Sequence, residues 1–285
     1  MPVFRLPKFA IVHAAALVAF LCHAAPTAAQ QGSGFLPGGK LVPVIRADPR
    51  EPAVGAKLVG VLKGATEFGS GIEGEAIVGH SFPLWLLSGE STERATVLGI
   101  QGAVFGRFLL ETIERDLIST DWTFAVPLII WRGGSWYRFR YRHISSHLGD
   151  EYIERFGTER SEFSRDALEV TVYRKLPAGF AAYAGGDIAF NVYPIGSKRF
   201  RVLGGVEFAS LSTDGPTQFF GGVNVDLSQD DSWSPRVNIQ QGVRLFPQND
   251  RNLSFVLEFA FGQSHQGEFH GEKETVLMLG ALLEL

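Results

Sequence analysis

A chain of 285 residues with 26 Lys and Arg against 30 Asp and Glu carries a formal charge of −4. That balance offers no general attraction to nucleic acid, and no run of basic residues supplies a local one. A single cysteine excludes an intramolecular disulfide framework and a cysteine-rich zinc site, while 33 Gly, 23 Phe and only 2 Met point to many short strands and tight turns rather than packed helices.

Residues 1–29 read as a signal peptide. Arg5 and Lys8 precede an apolar run from Phe9 to about Leu21 that is too short to span a bilayer as a helix. Thr27 and Ala29 fit the small positions before a cleavage site and make Gln30 the mature start. Phe20 and Leu21 are too bulky for a lipobox, so Cys22 leaves with the leader. The remainder has 24 basic and 30 acidic residues and no later stretch of about eighteen consecutive apolar residues, which excludes a helical membrane protein. From Gly32 to Pro52, Gly and Pro interrupt both helix and ladder. Residues 30–52 therefore read as a periplasmic extension, and 53–285 as one domain.

Within that domain, period-two hydrophobicity predicts strands at 54–63, 72–82, 94–108, 120–132, 134–146, 166–176, 179–192, 198–210, 216–228, 235–247, 252–264 and 273–285. In the eighth, Phe200, Val202, Gly204, Val206 and Phe208 share one face, opposite Arg199, Arg201, Leu203, Gly205 and Glu207. The number is even, and several segments match the roughly nine to eleven residues of a tilted membrane strand. Connections after even-numbered strands are mostly short, and those after odd-numbered strands include the longest, 147–165; the connection from Pro83 to Glu93 breaks the rule.

The expected fold class is all-β: a closed antiparallel transmembrane β-barrel of about twelve strands in the outer membrane of a Gram-negative bacterium, its first and last strands meeting. Trp122, Trp131 and Trp136 fall near strand ends, where an interfacial girdle would place them. The inward face is assigned Arg138, Arg140, Arg142, Arg199, Arg201, Arg236 and Arg244 against Glu73, Glu75, Glu169, Asp187, Glu207, Asp226 and Glu258. So balanced a lumen closes on itself through ion pairs, which argues against a wide, charge-selective pore. The pairs Gly185-Gly186, Gly204-Gly205 and Gly221-Gly222 lie inside strands with no following helix, so they relieve crowding rather than cradle phosphate.

Strand 134–146 carries the chemistry. If Arg138, Arg140 and Arg142 point inward, Tyr141, His143 and Ser145 point outward at the rim. A His two positions before a Ser on one strand brings an imidazole within reach of a hydroxyl, with Ser145 as nucleophile and His143 as base. Backbone amides of Ser146 to Gly149 are the nearest source of an oxyanion hole. His143, His147, Asp150 and Glu151 could instead hold a metal, but the acids lie past Gly149 in a loop, so a polar strand end is the plainer reading and no metal or cofactor is expected.

The His-x-Ser at the rim resembles the arrangement in two families of outer-membrane lipid hydrolases, the phospholipase A type and the lipid A deacylase type. The resemblance implies an Asn or Glu about a dozen residues after the Ser as third member. Here that region, Gly157 to Asp166, offers Glu159, Glu162 and Asp166, and Asp166 is taken as the third site residue. It also implies outer-membrane lipid as the partner. Over a longer span, Ala47-Asp-Pro-Arg-Glu-Pro52 and Ser145-Ser-His-Leu-Gly-Asp-Glu-Tyr152 resemble an uncharacterised bacterial family known as domain of unknown function 1207, which brings no activity with it. Three readings stay open: a lipid acyl hydrolase, a non-enzymatic barrel for envelope structure or small-solute passage, and a soluble periplasmic β-protein.

Overall fold

Segments that are apolar on one face and charged on the other satisfy both faces in a bilayer by rolling into a barrel, polar side inward. The computed structural model describes residues 34–112, 115–158, 163–211, 215–248 and 251–284, and it has this form. A two-residue strand β1 (Gly34–Phe35) is followed by β2 (Val54–Lys63), β3 (Gly71–Ser91), β4 (Arg94–Leu109), β5 (Leu117–Arg132) and β6 (Ser135–Leu148). After helix α1 (Asp150–Phe156) come β7 (Ser164–Lys175), β8 (Phe180–Tyr193), β9 (Phe200–Ala209), β10 (Thr217–Ser228), β11 (Pro235–Leu245), β12 (Asn252–Gln263) and β13 (Lys273–Glu284). Sequence neighbours from β2 to β13 pair antiparallel, and β13 closes on β2 with Val54 opposite Leu283. The barrel is thus closed and twelve-stranded, as the alternation requires; β1 pairs outside it, on the far end of β3.

Short turns, such as Gly133-Gly134 between β5 and β6, lie at one end with the start of β2 and the end of β13. The other end carries the longer loops, 149–163 with α1 and 264–272. These are called the turn end and the loop end. The irregular connection expected from Pro83 to Glu93 is in fact strand: β3 runs on to Ser91 beside β4 and accommodates Pro83 at a register shift before Trp85. The short-turn rule therefore holds there too. The signal peptide and the candidates Glu159 and Glu162 lie outside the described residues.

Leu58, Val170, Val202, Phe255, Leu257 and Leu279 are exposed on the outer face. Inward, Arg138 and Arg140 meet Glu169 on β7 at 3.0 and 2.6 Å. Lys57 meets Glu258 at 3.0 Å and Glu75 at 3.3 Å, and Arg107 meets Glu73 at 2.5 Å. Lys57, Arg107 and Glu274 belong to this network although the inward assignment omitted them, and Arg199, exposed just before β9, does not.

Two of the three tryptophans also face in. Trp131 and Trp136 are buried at the turn end, packed with Leu41, Val42, Ile45 and Ile129; only Trp122 is exposed on the outer wall. Trp136 shares the parity of Arg138 and Arg140, so it must face inward with them. An indole buried in this way contributes about 1.5–3 kcal/mol.

What these indoles pack against is the extension. Residues 41–51 precede the first barrel strand and run through the lumen, where Ile45, Ala47, Asp48, Arg50 and Glu51 are buried. Pro43, Pro49 and Pro52 keep the segment out of the ladder, so its peptide groups need other partners. The wall provides them: Glu207 Oε1 accepts from the amides of Arg46 (2.6 Å) and Ala47 (3.3 Å). Trp131 Nε1 donates to the Leu41 carbonyl at 2.8 Å, and Asn238 Nδ2 to that of Ala47 at 3.0 Å. Glu51 Oε1 reaches Arg138 at 2.7 Å and Arg140 at 3.1 Å. The segment is a strap bolted through the barrel.

Glycines make room for these contents. A Cβ at Gly222 would lie 3.0 Å from the Cβ of Ala47 on the strap, and one at Gly205 would strike the Tyr183 hydroxyl and the Val223 carbonyl. Gly205→Ala is expected to displace Tyr183 from Asn224, which it meets at 2.8 Å, and to destabilise the barrel by about 1–3 kcal/mol. Urea titration of liposome-inserted protein checks this, an unchanged midpoint being the contrary result.

Candidate functional site

The facing of β6 is fixed by its arginines. Arg138, Arg140 and Arg142 are all buried in the lumen, which turns Tyr141, His143 and Ser145 to the outer face. On one side β5 sets Phe124 opposite His143 and Trp122 opposite Ser145; on the other, β7 sets Asp166 opposite His143 and Ser164 opposite Ser145. All of this lies toward the loop end.

Asp166 is the hub. Its Oδ1 accepts from His143 Nδ1 at 2.8 Å and from the Tyr141 hydroxyl at 2.7 Å, and its Oδ2 accepts from Asn191 Nδ2 at 2.7 Å. The β7–β8 register shifts between Asp166 and Ala167, a bulge of the kind that re-aims a side chain. With Nδ1–H committed to the carboxylate, the lone pair of the neutral imidazole resides on Nε2. The His143 side chain is 36 % exposed and that of Asp166 14 %, so the imidazole is accessible while the carboxylate that holds it is mostly covered.

The three residues singled out from sequence therefore come together as follows. His143 and Asp166 are joined directly, and Ser145 shares their face two residues along β6, its hydroxyl without a hydrogen-bond partner among the described residues. Tyr141 and Asn191 were not singled out. Tyr141 could have been found from its parity with His143, whereas Asn191 enters only through the β7–β8 register. Two of the four expected oxyanion donors are already engaged: the Ser146 amide donates to the Phe163 carbonyl and the Gly149 amide to that of Ile118, both at 2.9 Å. Strand pairing and the turn into α1 consume those donors.

Ser146, one residue on, belongs to the lumen. Its hydroxyl donates to Asp121, which also pairs with Arg50 of the strap and accepts from the Gly267 amide at 3.3 Å. Ser119 donates to Gln266 Oε1 at 2.7 Å. These contacts draw loop 264–272 across the mouth of the lumen. Within that loop, burial and the nearby Arg236 guanidinium push the His265 imidazole down to about 4, so it is neutral at neutral pH. Among the described residues no group of three or more His, Cys, Asp or Glu is placed to hold a metal ion.

A closed antiparallel barrel with an apolar exterior and a charged, filled lumen is the fold of an outer-membrane β-barrel protein. Outer membrane phospholipase A from Escherichia coli is similar, with a TM-score of 0.59 and 10 % identity over 85 % of this chain and 95 % of that one. A second structure of that enzyme, an active-site mutant, is similar at a TM-score of 0.53 and 10 % identity over 82 % and 92 %. No curated protein matches the sequence. The family model described as "Protein of unknown function (DUF1207)" matches residues 6–284, and the chain belongs to that family.

Proposed function

We propose that this barrel is a lipid acyl hydrolase whose site lies on the outside of its wall. The observation that carries the proposal is the His143–Asp166 contact of 2.8 Å on an outward face that also holds Ser145. Asp166 fixes the imidazole tautomer, leaving Nε2 to take the Ser145 proton as Oγ attacks an ester carbonyl; the same proton then passes to the leaving alcohol, and water releases the acyl group. Ser164, opposite Ser145 in register, offers a hydroxyl to the developing oxyanion.

The setting points to a membrane lipid. Trp122 and Phe124, both exposed, flank Ser145 and His143 on the apolar outer wall, and the strap runs through the lumen, where it narrows any path for a solute. The fold shared with a protein named as a phospholipase supports the same substrate class. On this reading the loop end faces the cell exterior, where the rim meets the outer leaflet.

Purified protein in mixed micelles with acyl-labelled phospholipid or lipid A is expected to release fatty acid, and Ser145→Ala to abolish that release while the barrel stays folded. No release by wild type on either lipid, with and without divalent ions, would falsify the proposal. Equal release by the alanine variant would do the same.

A further inference from the structure

A cavity of about 150 Å³ lies inside the loop end, beneath loop 264–272 and on the opposite side of the wall from His143 and Ser145. Five guanidinium groups line it: Arg50, Arg142, Arg165, Arg201 and Arg236. Four have carboxylate partners. Arg50 pairs with Asp121, Arg165 with Asp187, Arg201 with Asp226 and with Asp187 at 3.2 Å, and Arg236 with Glu274 at 3.0 Å.

Arg142 pairs with none among the described residues. The residue is 5 % exposed, and its hydrogen bond is a 3.5 Å contact to the Arg50 carbonyl. Two further buried groups at the same cavity have donors to spare: Nε and Nη2 of Arg236 and Nε2 of Gln266 find no acceptor. The acids alongside are partly spoken for, since Asp187 and Asp226 hold arginines and Asp230 accepts the Lys198 amide at 2.8 Å. Asp231 lines the loop side, its carboxyl pushed up to about 6 by burial and by neighbouring Asp230. Water would satisfy the orphan N–H groups but not the desolvated charge of Arg142, whereas an oxyanion satisfies both.

We infer that this cavity is a binding site for a small phosphate-class oxyanion, held by Arg142, Arg236 and Gln266. The inference stands apart from the hydrolase reading, because none of these residues faces the Ser145 side of the wall. The same chemistry could arrive as free phosphate or as the phosphomonoester of a lipid headgroup.

The test measures thermal midpoint and calorimetric binding of the full chain in detergent with inorganic phosphate, against chloride at equal ionic strength. A parallel arm uses nanodiscs with and without phosphatidic acid. Phosphate is expected to raise the midpoint saturably, Arg142→Gln to weaken binding at least tenfold, and Asp231→Asn, which removes a competing charge, to strengthen it. Arg142→Gln should leave the midpoint in phosphate-free buffer unchanged or higher, since it deletes an unpaired buried cation. Phosphatidic acid that competes with phosphate identifies the headgroup as the source, and one that does not identifies the free ion. If neither ligand binds, or if Arg142→Gln lowers the midpoint in phosphate-free buffer and leaves binding intact, the cavity is a water-filled structural void and the inference is wrong.

Discussion

Asp166→Ala is expected to lower acyl release by about 10⁴-fold, close to the cost of losing the orienting acid in serine triads. Asp166 holds three donors at once, from His143, Tyr141 and Asn191. Without it the imidazole is free to rotate and to place its proton on Nε2, where it could not take the Ser145 proton that the proposed mechanism requires. Asp166→Asn, whose amide can donate to Nδ1 and favour the wrong tautomer, is expected to cost about as much, and Tyr141→Phe, which removes one support of the anchor, to cost less than either. The side chain lies on the outer wall near the rim, away from the lumenal ion pairs, so folding should be little affected. Steady-state kinetics checks the rate, and the gel mobility of unheated against boiled samples checks the barrel. An alanine variant that matches wild type would show that the His143–Asp166 contact is only a polar strand end.

Why this contact was half legible in sequence follows from how strands place side chains. Parity along β6 puts His143 and Ser145 together on the face opposite three arginines, because residues two apart must share a face. Which residue meets His143 from the next strand depends on register, and a loop of unknown path separates β6 from β7. Asp166 could therefore be reached only by likeness to known hydrolases, and Asn191, fixed by a bulge in the following pairing, could not be reached at all.

The barrel was more legible, since twelve alternating segments and the asymmetry of their connections each follow from a bilayer outside and water at both ends. The errors have local causes. Pro83 suggested a break but sits at a bulge. The positions of Trp131 and Trp136 suggest an interfacial girdle because indoles favour strand ends at the interface, whereas here they pack on a strap whose prolines disguise it as a linker. No periodic pattern marks an irregular segment that is buried by the side chains around it. What remains in the sequence is the chemistry of the partners: a lumen rich in Arg and Glu implies that charged residues upstream of the barrel, such as Arg50 and Glu51, have somewhere to go.

Glu51→Ala is accordingly expected to destabilise the barrel by about 3–5 kcal/mol, the usual cost of removing one partner from a buried ion pair. Arg138 and Arg140 share two carboxylates, Glu51 on the strap and Glu169 on β7, and all four side chains are buried. Removing Glu51 leaves two guanidinium groups on one carboxylate in a site water does not readily reach. Glu51→Gln keeps an acceptor for Arg138 and should cost less, which separates loss of charge from loss of shape. Because Glu51 is also a tether, the alanine variant should loosen the segment from Leu41 to Glu51, exposing the Arg46–Ala47 bond whose amide is held by Glu207. Urea titration in liposomes reads the stability, and limited trypsin digestion reads the strap: resistant at Arg46 in wild type, cleaved there in the variant. Cleavage at equal rates in both, with no change in urea midpoint, would mean that the strap is held by its apolar contacts with Trp131 and Trp136 alone and that the ion pairs only solvate one another.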